Sequence, residues 1–444
     1  MHPLGPKTDA YYKRMREALF STTVEEYRPV LTNGNGVWCE DIDGNKFLDF
    51  TSQVGVTNIG FSPRAITGAI AEQFSTLSFA IANDFQFSCS HRYSMLAGQE
   101  VSPVALAEEL KRITPVPAPK KVLFEVSGAT AINASAKICL EARRGLKSDV
   151  IEPELFCAFE KAFHGRHGFS LDISNSKPIH KLLHEQGFDV LRIAFPRRNV
   201  FRGNYFWLND ALSRLDTYKE RLNAVYAEIV QGEGGIVIPD IGVLDALIKA
   251  VHNRGILFIA DEIQTGFGRT GKLFACDYLS EKPDIMILSK SLGGGMPLGA
   301  VIARSDILPN GDLPQGTHSG TMPACPMAVA TALANLKILQ DRDLVANSAK
   351  MGAYMLEKLQ EIKSKFNGIT MVDSLGGLMI CVECINVPYR DALIMESLRQ
   401  RPGLLLIGAG ERVIRFMPPL VVTQYEIEQA LSIFESALNA LSHR

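Results

Sequence analysis

The chain has 444 residues, 46% of them hydrophobic and 21% charged, with a formal net charge of −2. That length exceeds what one hydrophobic core usually holds, so two domains are expected, and the balance is that of an ordinary globular protein. No basic excess points to nucleic acid, no acidic tract to a solvated tail, and no apolar run approaches a membrane span.

The opening stretch, MHPLGPKTDAYYKRMREALF, lacks the apolar core and small-residue cleavage site of a secretory signal. The expected location is the cytoplasm, with no membrane and no nucleic-acid partner. Eight cysteines in so long a chain do not make a disulfide framework.

Residues 31–50, LTNGNGVWCEDIDGNKFLDF, read as short strands joined by a DIDGN turn. From Lys120 to Arg304 short apolar runs alternate with helical stretches. The runs are KVLFEVS, LFCAFEK, AVYAEIV, ILFIADE, IMILSK and GAVIAR. They are continuously apolar and rich in Val, Ile and Phe, as strands buried on both faces should be. Residues 243–253 carry apolar side chains at helical spacing. This alternation predicts an α/β domain with a mainly parallel sheet, whose ligands bind beyond the carboxyl ends of the strands.

Within HKLLH, His180 and His184 stand four apart. Lys181 occupies the place where the metalloprotease pattern needs a glutamate. The pair reads as two polar residues on one helix face. After Pro326 a helix is expected to about Leu339 and another to about Lys365. Strand-like GLMICVECI, GLLLIGAG and RVIRFMPPL follow. A last helix begins at Thr423, with Glu426 completing a capping box. Cys381 and Cys384 form a C-x-x-C inside what reads as a buried strand, with no helix start to lower a thiol pKa. The expected organisation is a large α/β domain and a smaller α+β domain built from both chain ends. The boundaries are 1–60 for the N-terminal part of the small domain, 61–325 for the large domain and 326–444 for the C-terminal part.

There is no G-x-x-x-x-G-K-[ST] loop, and no G-x-G-x-x-G opens a helix after a strand, which argues against ATP and NAD. KVLFEVSGATAINASAK places Ser127, Gly128 and Ala129 between a strand end and an alanine-rich helix. The free N–H groups of such a helix start hold an anion. Asp261 closes ILFIADE, Gln264 lies just beyond it, and Lys290 closes IMILSK. A carboxylate keeps a pyridine nitrogen protonated, a lysine forms an imine with an aldehyde, and a phosphate docks on a helix start. Together they are the minimum apparatus for pyridoxal 5′-phosphate.

From GNGVWCEDIDGNKFLDF to IRFMPPLVVTQYEIEQAL the chain resembles the class III, or ω-amino acid, pyridoxal-phosphate aminotransferases of fold type I. The likeness is most specific over FIADEIQTGFGRTGKLFACDYLSEKPDIMILSKSLGGGMPLGAV. The resemblance implies a homodimer with shared active sites, a small-molecule amino donor, and a 2-oxo acid such as 2-oxoglutarate as acceptor. It makes Lys290 the imine-forming lysine and proton shuttle, Asp261 the partner of the pyridine nitrogen, and Gln264 the contact of the ring hydroxyl. Ser127, Gly128 and Ala129 hold the phosphate, Phe163 stacks on the ring, and Thr321 reaches the phosphate of the neighbouring subunit. Glu233 and Arg415 look like the pair that gates carboxylate binding, held bidentate when no carboxylate is present. Arg166 resembles a substrate-carboxylate arginine of the 4-aminobutyrate and lysine 6-aminotransferase branches.

Some positions depart from the family pattern. Thr130 and Asn133 stand where glutamates are usual, and Pro323, Ala324 and Cys325 replace Gly, Gly and Asn. Ile229 replaces the proline of the usual E-P before QGEGG. Gln53 takes the place of a small residue beside the substrate. The expected activity is transfer of a terminal amine from a 4-aminobutyrate-, ornithine- or lysine-like amino acid. A racemase or epimerase of the same fold is the alternative, ahead of a decarboxylating variant or a non-catalytic cofactor-binding protein.

Overall fold

The computed structural model describes residues 5–20, 22, 28–76, 94–96, 98–146, 154–201 and 205–442. Its centre is a seven-stranded sheet. In chain order the strands are β1 (Lys120–Glu125), β2 (Leu155–Phe159), β3 (Asp189–Ile193), β4 (Leu222–Glu228), β5 (Leu257–Asp261), β6 (Ile285–Leu288) and β7 (Gly299–Arg304). Their spatial order is β1-β7-β6-β5-β4-β2-β3. Only β7 runs antiparallel to its neighbours.

Alternate residues of these strands feed two cores, as the two-residue period of a strand requires. Ile259, Ile285, Ile287 and Val301 pack under the helix Gly128–Leu146, whose Ala131, Ala134 and Ile138 let it lie close. Phe258, Ala260, Met286 and Leu288 face the other way, against Leu244, Leu247 and Val251 of the helix Ile241–His252. That helix starts one turn cleanly, because the Asp240 carboxylate accepts the Val243 N–H at 3.2 Å.

The apolar runs predicted β1, β2, β4, β5, β6 and β7. β3, at one edge of the sheet, escaped because DVLRI alternates in burial and carries Asp189 and Arg192, so it offers no continuous apolar run.

Three N-terminal strands, Leu31–Asn35, Trp38–Asp41 and Lys46–Asp49, form an antiparallel ribbon, and Gly403–Leu405 joins it in parallel beside Lys46–Asp49. The DIDGN turn is made by Asp41, whose Oδ1 accepts from Asp43 N at 3.0 Å and Asn45 N at 2.8 Å. The stretch GLLLIGAG is not one strand. It breaks at Leu406, and Ile407–Ala409 joins a different sheet with Val413–Phe416, Ile380–Cys384 and Ile369–Ser374. Leu404, Leu405 and Leu406 are all buried, so an unbroken apolar run gave no sign of the change of sheet.

Arg269 ties distant parts of the chain together. It donates to Leu378 O, Pro418 O and Asn58 Oδ1 at 2.8, 2.6 and 2.5 Å, all in the interior.

The helices Pro326–Asp341, Leu344–Lys365 and Gln424–Ser442 match expectation. At the last, Thr423 N donates to Glu426 Oε2 and Glu426 N to Thr423 Oγ1, the reciprocal pair of a capping box. Cys381 and Cys384 are buried, and burial pushes each thiol up to about 12. His180 and His184 do not share a helix face. Pro178–Lys181 is a single 3₁₀ turn, and His184 Nε2 lies 2.6 Å from the buried Asp172 carboxylate, which also receives the Gly187 and Phe188 N–H groups. Among the described residues no helix is long and apolar enough to cross a membrane, and no three His, Cys, Asp or Glu side chains are grouped to hold a metal.

Candidate active site

A cavity of about 760 Å³ opens at the carboxyl ends of β1, β4, β5 and β6. All the expected site residues line it except Thr321 and Gln53. Gln53 is exposed on a left-handed backbone (φ +51°), and Val54 and Val56 line the wall in its stead. Thr321 is also exposed. Near it, Ala324 is buried at φ +50°, a conformation that costs a non-glycine residue about 1–2 kcal/mol. The family pattern has glycine there.

Asp261 ends β5 and is 4% exposed. Its Oδ1 accepts the Ile263 N–H at 3.0 Å, and its Oδ2 lies 2.7 Å from His164 Nδ1. His164 is fully enclosed, with its Nε2 lacking a hydrogen-bond partner among the described residues. Sequence reasoning passed over His164. The usable signal was its place beside Phe163, on a loop that must return to the strand ends.

Glu228, level with Asp261 on the neighbouring strand, was also missed. Its carboxylate accepts from Phe163 N at 2.9 Å and Gly232 N at 2.8 Å, fixing both loops. Burial, with Asp261 adding and His164 opposing, pushes its carboxyl up to about 7.

Gln264 reaches Val54 O through Nε2 at 3.5 Å, while its Oε1 is buried without a partner among the described residues. It sits so near Gly232 that a Cβ there would lie 1.7 Å from Oε1. A glycine at 232 is therefore what leaves Gln264 its seat.

Lys290 opens a 3₁₀ turn, Lys290–Gly293, at φ +47°, a strained conformation for a side-chain-bearing residue. Surrounding bonds hold it there. Asn335 Nδ2 donates to Ser291 O at 2.7 Å and Thr331 Oγ1 to Gly293 O at 2.8 Å. Gly294 then turns the chain at φ +58°. Burial, then the Arg415 charge, lowers the Lys290 amine to about 8, against the opposing pull of Asp261, Glu233 and Glu228.

The departure at Thr130 has a local explanation. Thr130 N donates to Ser127 Oγ at 3.2 Å, and Ser127 N donates to Thr130 Oγ1 at 3.1 Å. This caps the helix start reciprocally, and the Gly128 and Ala129 N–H groups fall in the first turn, where no intrahelical acceptor exists. Asn133 Oδ1 accepts the Ser170 N–H at 2.9 Å and so anchors the loop that follows Phe163.

Toward the mouth, the Arg166 guanidinium carbon stands 5.7 Å from the Phe163 ring centroid. Arg415, 2% exposed, meets Glu233 through one contact, Nη1 to Oε2 at 2.9 Å, while its Nη2 donates to Gly408 O. The expected bidentate pairing is thus not formed: Glu233 Oε1 turns instead toward Lys177 Nζ, 3.7 Å away. Burial raises the Glu233 carboxyl, but Arg415, Lys177 and Lys290 together bring it below its ordinary value.

The donor set fits pyridoxal phosphate. It offers at Gln264 a buried acceptor with no partner among the described residues, a carboxylate side chain at Asp261, an amine of lowered pKa at Lys290 and an anion cradle at the first turn after Ser127.

Residues 20–438 match the family described as Aminotransferase class-III. Over 419 residues the chain is 30% identical to an acetylornithine aminotransferase of Gloeobacter violaceus, covering 94% of this chain and 95% of that one. It is 30% identical over 464 residues to a probable 4-aminobutyrate aminotransferase of Bacillus subtilis, covering 98% of each. It is also 30% identical over 462 residues to an alanine/serine racemase of Pyrococcus horikoshii, covering 98% of this chain and 91% of the other. A transaminase from the marine bacterium Virgibacillus shares the fold, with a TM-score of 0.86 at 23% identity over 98% of this chain and 99% of its own. The whole-chain family match and the cavity's donor set agree: the chain belongs to the class III aminotransferases, pyridoxal-phosphate-dependent enzymes of fold type I.

Proposed function

We propose that the chain moves a terminal amine of an amino acid of the 4-aminobutyrate, ornithine or lysine kind to a 2-oxo acid such as 2-oxoglutarate. The observation that carries this reading is Arg415, nearly buried in the Lys290 cavity and neutralised by Glu233. An unscreened arginine would demand a carboxylate from every substrate, whereas a screened one admits an amine end as well. The names of the acetylornithine and 4-aminobutyrate relatives support the same substrate class.

When bound, pyridoxal phosphate supplies an aldehyde and an electron sink. The chain's own residues do the rest. Asp261 would present its carboxylate to the pyridine nitrogen, Gln264 Oε1 would accept from the ring hydroxyl, and Phe163 would stack on the ring. Ser127, Gly128 and Ala129 receive the phosphate. Lys290 Nζ removes the proton from the amine-bearing carbon and returns it as general acid. Arg166 and Arg415, both on the cavity wall, would take substrate carboxylates.

We further take the chain to be a cytoplasmic homodimer, with the small domain formed by residues 1–60 and 326–444 around the large domain 61–325. The test of the activity is incubation of single amines with 2-oxoglutarate. Glutamate should accumulate with terminal amines.

The racemase relative favours a second reading, in which Lys290 returns the proton to the opposite face. Inversion of a single amino acid with no 2-oxo acid present would select that reading over ours.

Glu233→Ala frees Arg415. We expect the kcat/KM ratio of α-amino to ω-amino donors to rise at least about tenfold, the worth of one charge-assisted pair. An unchanged ratio would reduce the pair to a structural role.

Thr321, exposed and outside the cavity of its own chain, is proposed to act on the partner's phosphate. Mixing Lys290→Ala with Thr321→Glu chains should then restore up to about half of wild-type activity per heterodimer, because one site collects both defects. No rescue in verified heterodimers of inactive parents refutes this.

A further inference from the structure

The loop that carries Thr321 is fastened to the strand that leads into the anion cradle. His318 Nε2 lies 2.6 Å from Oε1 of Glu125, the last residue of β1, and both side chains are nearly buried. Lys137, on the helix Gly128–Leu146, adds a second fastening by donating to Thr317 O at 2.9 Å.

Glu125 stands two residues before Ser127, and its carboxylate interacts with Thr130, the residue that caps the cradle. The cradle has no room to move aside. Glu125 faces Gly299 across the sheet, and a Cβ on Gly299 would lie 2.4 Å from Ser127 O. A carboxylate enclosed at this point sets a full negative charge beside the seat of a phosphate, which is costly unless it is paired. Thr130 stands where the family pattern has a glutamate; in this chain the carboxylate beside the turn is Glu125, and it is paired with a histidine. Burial pushes the Glu125 carboxyl up, but the His318 bond and charge bring it below its ordinary value.

We propose that the Glu125–His318 pair positions the cofactor phosphate: Glu125 orients Thr130 and through it the Ser127–Ala129 turn, while His318 offsets the Glu125 charge. The inference rests on assigning that turn to the phosphate. The experiment separates the two claims.

Full-length holoenzyme is stripped by dialysis and titrated with pyridoxal 5′-phosphate and with pyridoxal, followed by cofactor absorbance rather than turnover. Wild type should prefer the phosphorylated aldehyde; equal binding of both would remove the phosphate assignment itself, and the proposal with it. His318→Gln should weaken pyridoxal 5′-phosphate about tenfold and pyridoxal less than about twofold, because an uncompensated charge acts on the phosphate alone. Glu125→Gln/His318→Gln, which keeps a hydrogen-bonded pair without charge, should recover most of the loss. Given a normal wild-type preference, three results overturn the pair's role: unchanged affinity in His318→Gln, equal losses for both aldehydes, or a double variant no better than the single. Should His318→Gln fail to fold, Glu125→Gln carries the test. It should bind pyridoxal 5′-phosphate at least as tightly as wild type, and a phosphate-specific loss there overturns the proposal.

Discussion

Lys290→Ala should lower turnover by at least about 10⁴-fold, roughly 5 kcal/mol of barrier, while the protein folds and still retains pyridoxal phosphate. The loss is large because one amine serves both as covalent partner and as proton carrier. Retention is expected because the cradle, Asp261 and Gln264 are untouched. The turn at Lys290 is strained at φ +47° and held by Asn335 and Thr331, so alanine inherits the same backbone. Turnover near wild type would sink the assignment.

The amine itself gives a second readout. A lysine nucleophile reacts only as the neutral amine, and burial and then Arg415 lower this group from 10.5 to about 8. In the cofactor-free chain, labelling of Lys290 by an amine reagent should therefore rise with pH and reach half its maximum near 8. Arg415→Met removes a like charge, so the half-point should move upward. A half-point near 10.5 in wild type would show that the cavity does not lower the amine's pKa.

The sequence disclosed most where chemistry and period coincide. Asp261 closes a continuously apolar strand and Lys290 lies two residues beyond the end of another, so their place at the mouth of a buried sheet follows from burial alone. The turn at Ser127–Ala129, between a strand end and a helix start on the cavity wall, was legible for the same reason. What stayed hidden depends on long-range return of loops. His164 bonds Asp261 across 97 residues of chain, and Glu228 receives the Phe163 N–H across 65. No spacing rule links such positions. Glu233 was legible as the partner of Arg415, but not its division between Arg415 and Lys177, because Lys177 arrives on a separate loop. Gln53 failed differently: its neighbours Val54 and Val56 point inward, and a kinked backbone with positive φ at Ser52, Gln53 and Val54 spoils any inference from alternation.

The other large effect is expected at Asp261. Asparagine matches the carboxylate in shape and can still accept the Ile263 N–H through Oδ1. Its Nδ2 then faces His164 Nδ1, a conflict that a change of His164 tautomer resolves, since Nε2 is without a partner among the described residues. Geometry therefore survives and the charge alone is lost. Removing one member of an enclosed charge pair costs about 3–5 kcal/mol, so kcat should fall by roughly 10²- to 5 × 10³-fold with the melting temperature little changed. His164→Asn should cost less, because it leaves the Asp261 carboxylate in place and disturbs only its aim. The comparison is informative in itself. If Asp261 acts by charge, then Asp261→Asn is far worse than His164→Asn. If it acts only as a hydrogen-bond acceptor that holds the loop of Phe163, the two variants are equally impaired and the melting temperature drops in both. Steady-state kinetics and thermal unfolding of the two variants side by side decide between these, and an Asp261→Asn enzyme within about tenfold of wild type would falsify the role of the carboxylate charge.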